Sequence, residues 1–341
     1  MLNYAHIGLP KTGTTFLQNT LFPLHPEIHN IGKHGRPVDL PYNVRRLLFA
    51  DLIDTPEYLF DAEQVARWIT AERERVILSE NGKRAFGLSC ELLTNLIQGR
   101  VSLTERATRL ASVMGKQTKI IFFVREQTSW LKSLYSTYVR EGGLCVNFED
   151  FCFHLCFEED ASAKANLFFD RIHQTYCNIF GTHQVLVIPY EELRNQPQAT
   201  LNRICGFIDV SEQEFDTSTR YHERPSAQAL GAMFALNRHW NFGLGGSRFK
   251  RLGGHRIEEA YAAYGINPPE YIEYEKVRHM FMYSSPQKIM DKAAKLRLDA
   301  RPLTLNIPPA ALEHLTSVLA PHNRALQEQT GVSLAEHNYI L

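Results

Sequence analysis

No run of about eighteen apolar residues occurs in this chain, so no segment reads as a membrane-spanning helix. The opening residues, Met1 to Gly8, have neither a basic start nor a long apolar stretch and do not read as a secretory signal. Net charge is missing too, with 37 basic side chains against 37 acidic ones. A phosphate backbone selects for positive domains, so this balance argues against nucleic acid as partner. It leaves room for a local pocket that takes one small anion. Cysteine is scarce, six in all, with no spacing that suggests a disulfide framework, and a reducing cytoplasmic setting is the expectation. Internal repeats and low-complexity tracts are absent.

Cys145, Cys152, His154 and Cys156 come near to a metal-ligand set. However, Phe148, Phe151, Cys152, Leu155 and Cys156 follow the i, i+3, i+4, i+7, i+8 spacing of a buried helical face. On such a helix His154 points away from both cysteines, so no metal is expected.

What is present is ordinary globular composition, 44% hydrophobic and 22% charged over 341 residues, enough for one large α/β domain with a helical extension. Apolar runs alternate with helical patterns through the first half, the signature of βαβ units and a mostly parallel sheet. Strands are expected over 4–8, 76–79, 119–124 and 185–188. Helices are expected over 14–21 (stopped by Pro23), 62–71, 104–114 and, after the strand 119–124, through about 140, where Gly142 and Gly143 follow. Pro197 suits the first position of a helix running to about Cys205. Beyond 209 the pattern changes to helical stretches near 226–240, 256–264, 269–282 and 309–329. The expected division is a core over 1–210 and a helical part of the same domain over 211–341.

Gly8 to Thr15 joins the first strand to the first helix. A helix start offers unpaired N–H groups that attract phosphate or sulfate. Gly13 lets backbone approach an anion, Thr14 and Thr15 add hydroxyls, and Lys11 adds a point charge. A nucleotide-hydrolase loop would read G-x-x-x-x-G-K-[ST]. Gly8, Gly13 and Thr15 fit that spacing, but Thr14 stands where its lysine belongs. The strand 119–124 ends in Arg125, where a magnesium-binding acid would be needed.

Pro10-Lys11-Thr12-Gly13-Thr14-Thr15-Phe16-Leu17 resembles the P-K-x-G-T-T-x-L loop of the sulfotransferases. Arg125 at a strand end with Ser133 eight residues on, and Val185 to Leu193 with Pro197 and Leu201 behind, are similar to two further blocks of that family. The resemblance covers roughly the first 210 residues. It implies a P-loop-NTPase-like parallel sheet flanked by helices, with a largely helical C-terminal extension. It also implies a donor, 3′-phosphoadenosine 5′-phosphosulfate (PAPS), and a product, adenosine 3′,5′-bisphosphate. On that resemblance Lys11 to Thr15 hold the 5′-phosphosulfate, Arg125 and Ser133 the 3′-phosphate, and Tyr190 packs near the adenine. The glycine-rich basic stretch at 245–256 is similar to the family's late loop that closes over the donor, which gives Arg248, Lys250 and Arg251 a clamping role.

The family places its catalytic base just after the second core strand. With a strand over 76–79 that base is Glu80, a strand-end carboxylate at the ligand-binding edge of an open sheet. His25, His29 and His34 are alternative bases, and Ser79, Lys83 and Arg84 are candidate acceptor contacts. The acceptor is expected to be a hydroxyl or amine of a small molecule, carbohydrate or lipid-linked group. Competing functions are a P-loop kinase of a small molecule and a non-catalytic nucleotide-binding protein of the same fold. Oligomeric state is not legible.

Overall fold

The computed structural model describes residues 1–32, 51–80, 82–95, 101–140, 146–157, 162–219, 225–240 and 285–341. The chain forms two compact units. One comprises Met1–Trp130, Leu155–Tyr221 and Ala310–Leu341, and the other Leu131–His154 and His222–Pro309.

The first unit holds a five-stranded, all-parallel sheet. Its strands are β1 (Leu2–Gly8), β2 (Ile28–Asn30), β3 (Ala85–Ser89), β4 (Lys119–Val124) and β5 (Val185–Pro189), in the order β2-β3-β1-β4-β5. β1 is therefore central. The chain leaves β1 toward β2 on one side and leaves β4 toward β5 on the other. The loops after β1 and β4 consequently diverge, which opens a crevice at the strands' C-terminal edge, where such sheets take their ligands.

Alternation along each strand sorts the core into two layers. Ala5, Ile7, Phe86, Leu88, Ile120, Phe122 and Val124 face one side, together with residues of helices Ala62–Ser79, Leu103–Met114 and Phe169–Phe180. Tyr4, Ala85, Ile121, Phe123 and Ile188 face the other, against Leu17, Leu21, Phe22 and helix Pro197–Phe207. Local signals set several boundaries. Ser102 caps Leu103–Met114 by accepting from the Glu105 N–H at 3.2 Å, and Pro197 opens its helix at the first turn.

The segment 76–79 is not a strand. It is the last turn of helix Ala62–Ser79, whose Val65, Ile69, Glu72 and Val76 are buried at helical spacing, while Ile77 and Leu78 are 56% and 85% exposed. The strand lies further on, at β3. Helix Thr14–Asn19 also ends before 21, and Pro23 sits inside a separate turn, Leu21–Leu24.

Gly87 makes the β1–β3 pairing possible, because a Cβ there would land on the Tyr4 carbonyl oxygen and ring. Gly87→Ala is expected to cost about 3 kcal/mol or more through overpacking. The check is a fall in the urea midpoint at unchanged m.

In the second unit, helices Ala227–Trp240 and Pro286–Lys295 pack together, and Gly231 lets the Arg301 carbonyl lie against the first of them. Helix Phe148–Phe157 buries Phe148, Phe151, Cys152, Leu155 and Cys156 and exposes His154, as its spacing predicts. Among the described residues, no group of three or more His, Cys, Asp or Glu is placed to hold a metal ion, and no helix is long and apolar enough to cross a membrane.

Candidate functional site

The loop after β1 is tied down from beneath. Its first residue extends the sheet, with Leu9 N–H donating to the Phe123 carbonyl at 3.0 Å. The next bonds occupy three successive carbonyls. Thr12 Oγ1 donates to Leu9 O at 2.5 Å, Trp130 Nε1 to Pro10 O at 2.8 Å, and Arg125 Nη1 to Lys11 O at 2.8 Å. Left-handed backbone at Gly8 (φ 76°), Lys11 (φ 67°) and Gly13 (φ 82°) turns the chain so sharply. At a non-glycine residue such as Lys11 this costs on the order of 1 kcal/mol, the kind of strain that gathers at ligand clamps. A right- and left-handed alternation of this kind gathers N–H groups into an anion-binding concavity. Helix Thr14–Asn19 is too short for much of a dipole, so its contribution is the unpaired N–H groups of its first turn.

Gly13 permits a second close approach. A Cβ there would meet Leu193 Cδ2 at 2.8 Å and the Tyr190 ring at 3.3 Å. The Arg125 guanidinium lies over that same ring, 4.7 Å from its centroid. Arg125, Tyr190 and Lys11 to Thr15 thus form one contiguous surface in the first unit. Burial pulls the Arg125 pKa below its usual range, opposed by Tyr190, Glu191 and Glu126, and an arginine stays charged regardless. Its Nε is buried with no acceptor among the described residues, a group that an anion would satisfy.

Behind this surface stands a support that the sequence pattern does not reveal. Glu191, buried, accepts from the Glu126 N–H at 3.2 Å and from the Tyr339 hydroxyl at 3.0 Å. Gln127 Nε2 donates to Asn323 Oδ1, and Asn323 Nδ2 to the Ile340 carbonyl, each at 2.7 Å. Residues 323–340 therefore brace the turn that carries Arg125. Ser133 lies further along helix Gln127–Arg140, in the part assigned to the second unit, and is half-buried. Arg248, Lys250 and Arg251 lie outside the described residues.

Glu80 is not where a base at this edge must be. It follows a helix and precedes β3, so it sits at the N-terminal edge of a parallel sheet whose C-terminal edge carries the Lys11 loop. A five-residue strand separates those edges by roughly 17 Å at 3.3 Å per residue. Its carboxylate is engaged instead by Arg75 at 3.4 Å, His29 at 3.6 Å and Lys83 at 3.8 Å. Ser79, Lys83 and Arg84 share that edge, and Lys83 donates to the Ile28 carbonyl while Arg84 pairs with Asp209. His25 bonds the Ser211 carbonyl and the Glu27 N–H, and His29 bonds Glu72, so both hold structure. His34 lies outside the described residues.

The residue that follows β3 on the loop's own edge is Glu91, which opens the turn Glu91–Leu93. It presses on the start of the loop, since a Cβ at Gly8 would come within 2.7 Å of Glu91 Cβ and 2.8 Å of its Cα. Gln18 Nε2 donates to Glu91 Oε2 at 3.3 Å and to Ser89 Oγ at 3.0 Å. Ser89 Oγ also bonds His6 Nδ1 at 2.7 Å. Ser-Cys-Glu after a strand was the available signal for Glu91, outweighed by the stronger apolar run at 76–79.

The profile of the sulfotransferase family matches residues 6–214, well over half of the chain. Among solved structures, the chain is similar to a sulfotransferase from Alicyclobacillus acidocaldarius at 20% identity and a TM-score of 0.45, covering 70% of this chain and 92% of that one. It is also similar to the sulfotransferase domain of the curacin biosynthetic pathway, at 14% identity and a TM-score of 0.34, covering 62% of this chain and 76% of that one. A third similar structure is the sulfotransferase domain of the Synechococcus PCC 7002 olefin synthase, at 14% identity and a TM-score of 0.33, covering 83% and 96% respectively. No curated protein sequence matches the chain. The family match, together with the parallel sheet, makes this a transferase. The chain belongs to the sulfotransferase family.

Proposed function

We propose that the chain transfers a sulfuryl group from PAPS to a hydroxyl or amine of a small, carbohydrate or lipid-linked acceptor. The observation that carries this reading is the contiguous surface of the Lys11 loop and Arg125, whose buried Nε finds no acceptor among the described residues. A donor with anionic groups at both its 5′ and 3′ positions needs two such anchors. Lys11 and the N–H and hydroxyl groups of Thr12, Gly13, Thr14 and Thr15 hold the 5′ end and stabilise charge on the leaving phosphate. Arg125 takes the 3′-phosphate, with Ser133 as a second contact by its place in the sequence. Tyr190 fixes the Arg125 guanidinium and borders the adenine. PAPS supplies the activated sulfuryl group, and Glu91, in place of Glu80, removes the acceptor's proton.

The test is thermal stabilisation by adenosine 3′,5′-bisphosphate, beside 5′-AMP and ATP with magnesium. A ligand bound only by the folded state adds roughly 2.7 kcal/mol at a hundredfold excess over its dissociation constant. The expected result is a rise in Tm with the bisphosphate and little with AMP. A rise with ATP–magnesium alone would sink the PAPS reading and favour a kinase.

A further inference from the structure

One buried polar chain in the first unit runs from His6 in the core through Ser89 and Gln18 to Glu91. Gln18, 1% exposed, directs its amide nitrogen at the Ser89 carbonyl (3.3 Å), Ser89 Oγ (3.0 Å) and Glu91 Oε2 (3.3 Å). A carbonyl and a carboxylate can only accept, which fixes the amide with its nitrogen toward them. Because Ser89 Oγ receives from Gln18, its own proton is free to go to His6 Nδ1, 2.7 Å away. That assigns the remaining imidazole proton to Nε2, which is buried with no partner among the described residues. His6 is fully enclosed, with its ring against Phe22 and edge-on to Phe123, and burial depresses its pKa to about 3. It is therefore a fixed neutral acceptor rather than a competing base.

We propose that Gln18 is the positioning residue for Glu91, held in place through Ser89 by the enclosed His6. This rests on the reading of Glu91 as the base. Gly8 supplies the other constraint, because the Glu91 backbone lies against it with no room for a side chain. Between them, Gly8 sets how far the Glu91 backbone stands from the donor loop, and Gln18 sets which way its carboxylate turns. A donated hydrogen bond favours the ionised form of the carboxylate that accepts it. Gln18 gives no such signal in the sequence, where it is one polar residue of a six-residue helix.

The experiment is a titration of the Glu91 side-chain carboxyl by carbon-13 NMR on glutamate-labelled full-length protein, its signal assigned by loss in Glu91→Gln. Gln18→Met removes the donor at nearly constant volume and is expected to raise the Glu91 midpoint by about one unit. Gln18→Glu places a second carboxylate there and is expected to raise it further, and it keeps the test open should the methionine variant fail to fold. Sulfuryl transfer from PAPS to 4-nitrophenol is expected to fall about tenfold or more in both, with binding of adenosine 3′,5′-bisphosphate unchanged. A purely structural role for Gln18 would lower Tm and leave the Glu91 midpoint in place. Midpoints unmoved in the folded variants overturn the proposal even if Glu91→Gln abolishes transfer. Full transfer in Glu91→Gln overturns the base reading instead, whatever the midpoints do.

Discussion

Glu91→Gln is expected to lower sulfuryl transfer by about 10²- to 10⁴-fold, while Glu80→Gln leaves it within a factor of about two. The amide keeps the size of the side chain and its bond to Gln18 while losing the ability to take a proton. Adenosine 3′,5′-bisphosphate should bind Glu91→Gln as it binds the unaltered protein, because the proposed donor anchors are Lys11 to Thr15 and Arg125. The Glu80 change falls on the opposite edge of the sheet, in a cluster with Arg75, His29 and Lys83. There it removes a part-exposed charge, worth about 1 kcal/mol or less of stability. The measurement is incorporation of labelled sulfate from PAPS into a panel of hydroxyl and amine acceptors. Loss of transfer in Glu80→Gln with full activity in Glu91→Gln would reverse the assignment.

The second large effect is acid destabilisation through His6. Burial holds its folded-state pKa at about 3, against an ordinary value near 6.5. Between those values the unfolded chain binds a proton that the folded chain does not. Stability is therefore complete above about pH 6.5 and falls as the pH is lowered toward 3, by about 1.4 kcal/mol per unit for this one group. The accumulated loss is several kcal/mol, comparable to the whole margin of many domains. Glu72 adds to it further down. Burial alone would raise its pKa, but the bonds from Arg75 and His29 outweigh burial and bring it to about 2, so its contribution disappears below the ordinary carboxylate range. Urea unfolding between pH 5 and 6.5 reads this loss together with that of His173, whose pKa burial also lowers, and the difference between the unaltered protein and His6→Phe isolates the part due to His6. His6→Phe should remove about one proton from the pH slope there, and an unchanged slope would mean that His6 accepts a proton in the folded state.

The parts of this fold that could be read in advance are those with local causes. β4 is an unbroken apolar run, Lys119–Val124, flanked by polar residues, and a fully buried central strand has no other appearance. Pro197 announces its own helix. The Lys11 loop combines glycine, hydroxyls and a cation between a strand and a helix. β2 and β3 have no comparable signal. β2 has three residues, and β3, Ala-Phe-Gly-Leu-Ser, has no β-branched residue and a glycine in its middle. Its glycine is required by Tyr4, eighty-three positions away in the sequence, so the reason lies in packing rather than in propensity. Meanwhile Val76, Ile77 and Leu78 have strand-like composition but continue a helix already capped at Asp61, where the side chain accepts from the Gln64 N–H. That single exchange of strands displaced the candidate base from Glu91 to Glu80. Tyr339 and Glu191 illustrate the other limit, since neither residue's surroundings in the sequence hint at a bond between positions 148 apart.

The bracing of Arg125 by residues 323–340 also bears on the order in which the molecule comes together. The Gln127–Asn323 and Glu191–Tyr339 bonds close loops of 196 and 148 residues, and contacts of such long range form slowly and late. On the ribosome, the Lys11 loop, β4 and Tyr190 all emerge well before the segment that steadies them. A nascent chain halted near 214, the end of the family-matched span, would carry every anion anchor on its β1, β4 and β5 edges, yet leave the Glu191 carboxylate without its hydroxyl and Gln127 without its amide. In such a chain the turn that carries Arg125 lacks both of these long-range supports until residues 323–340 have been made.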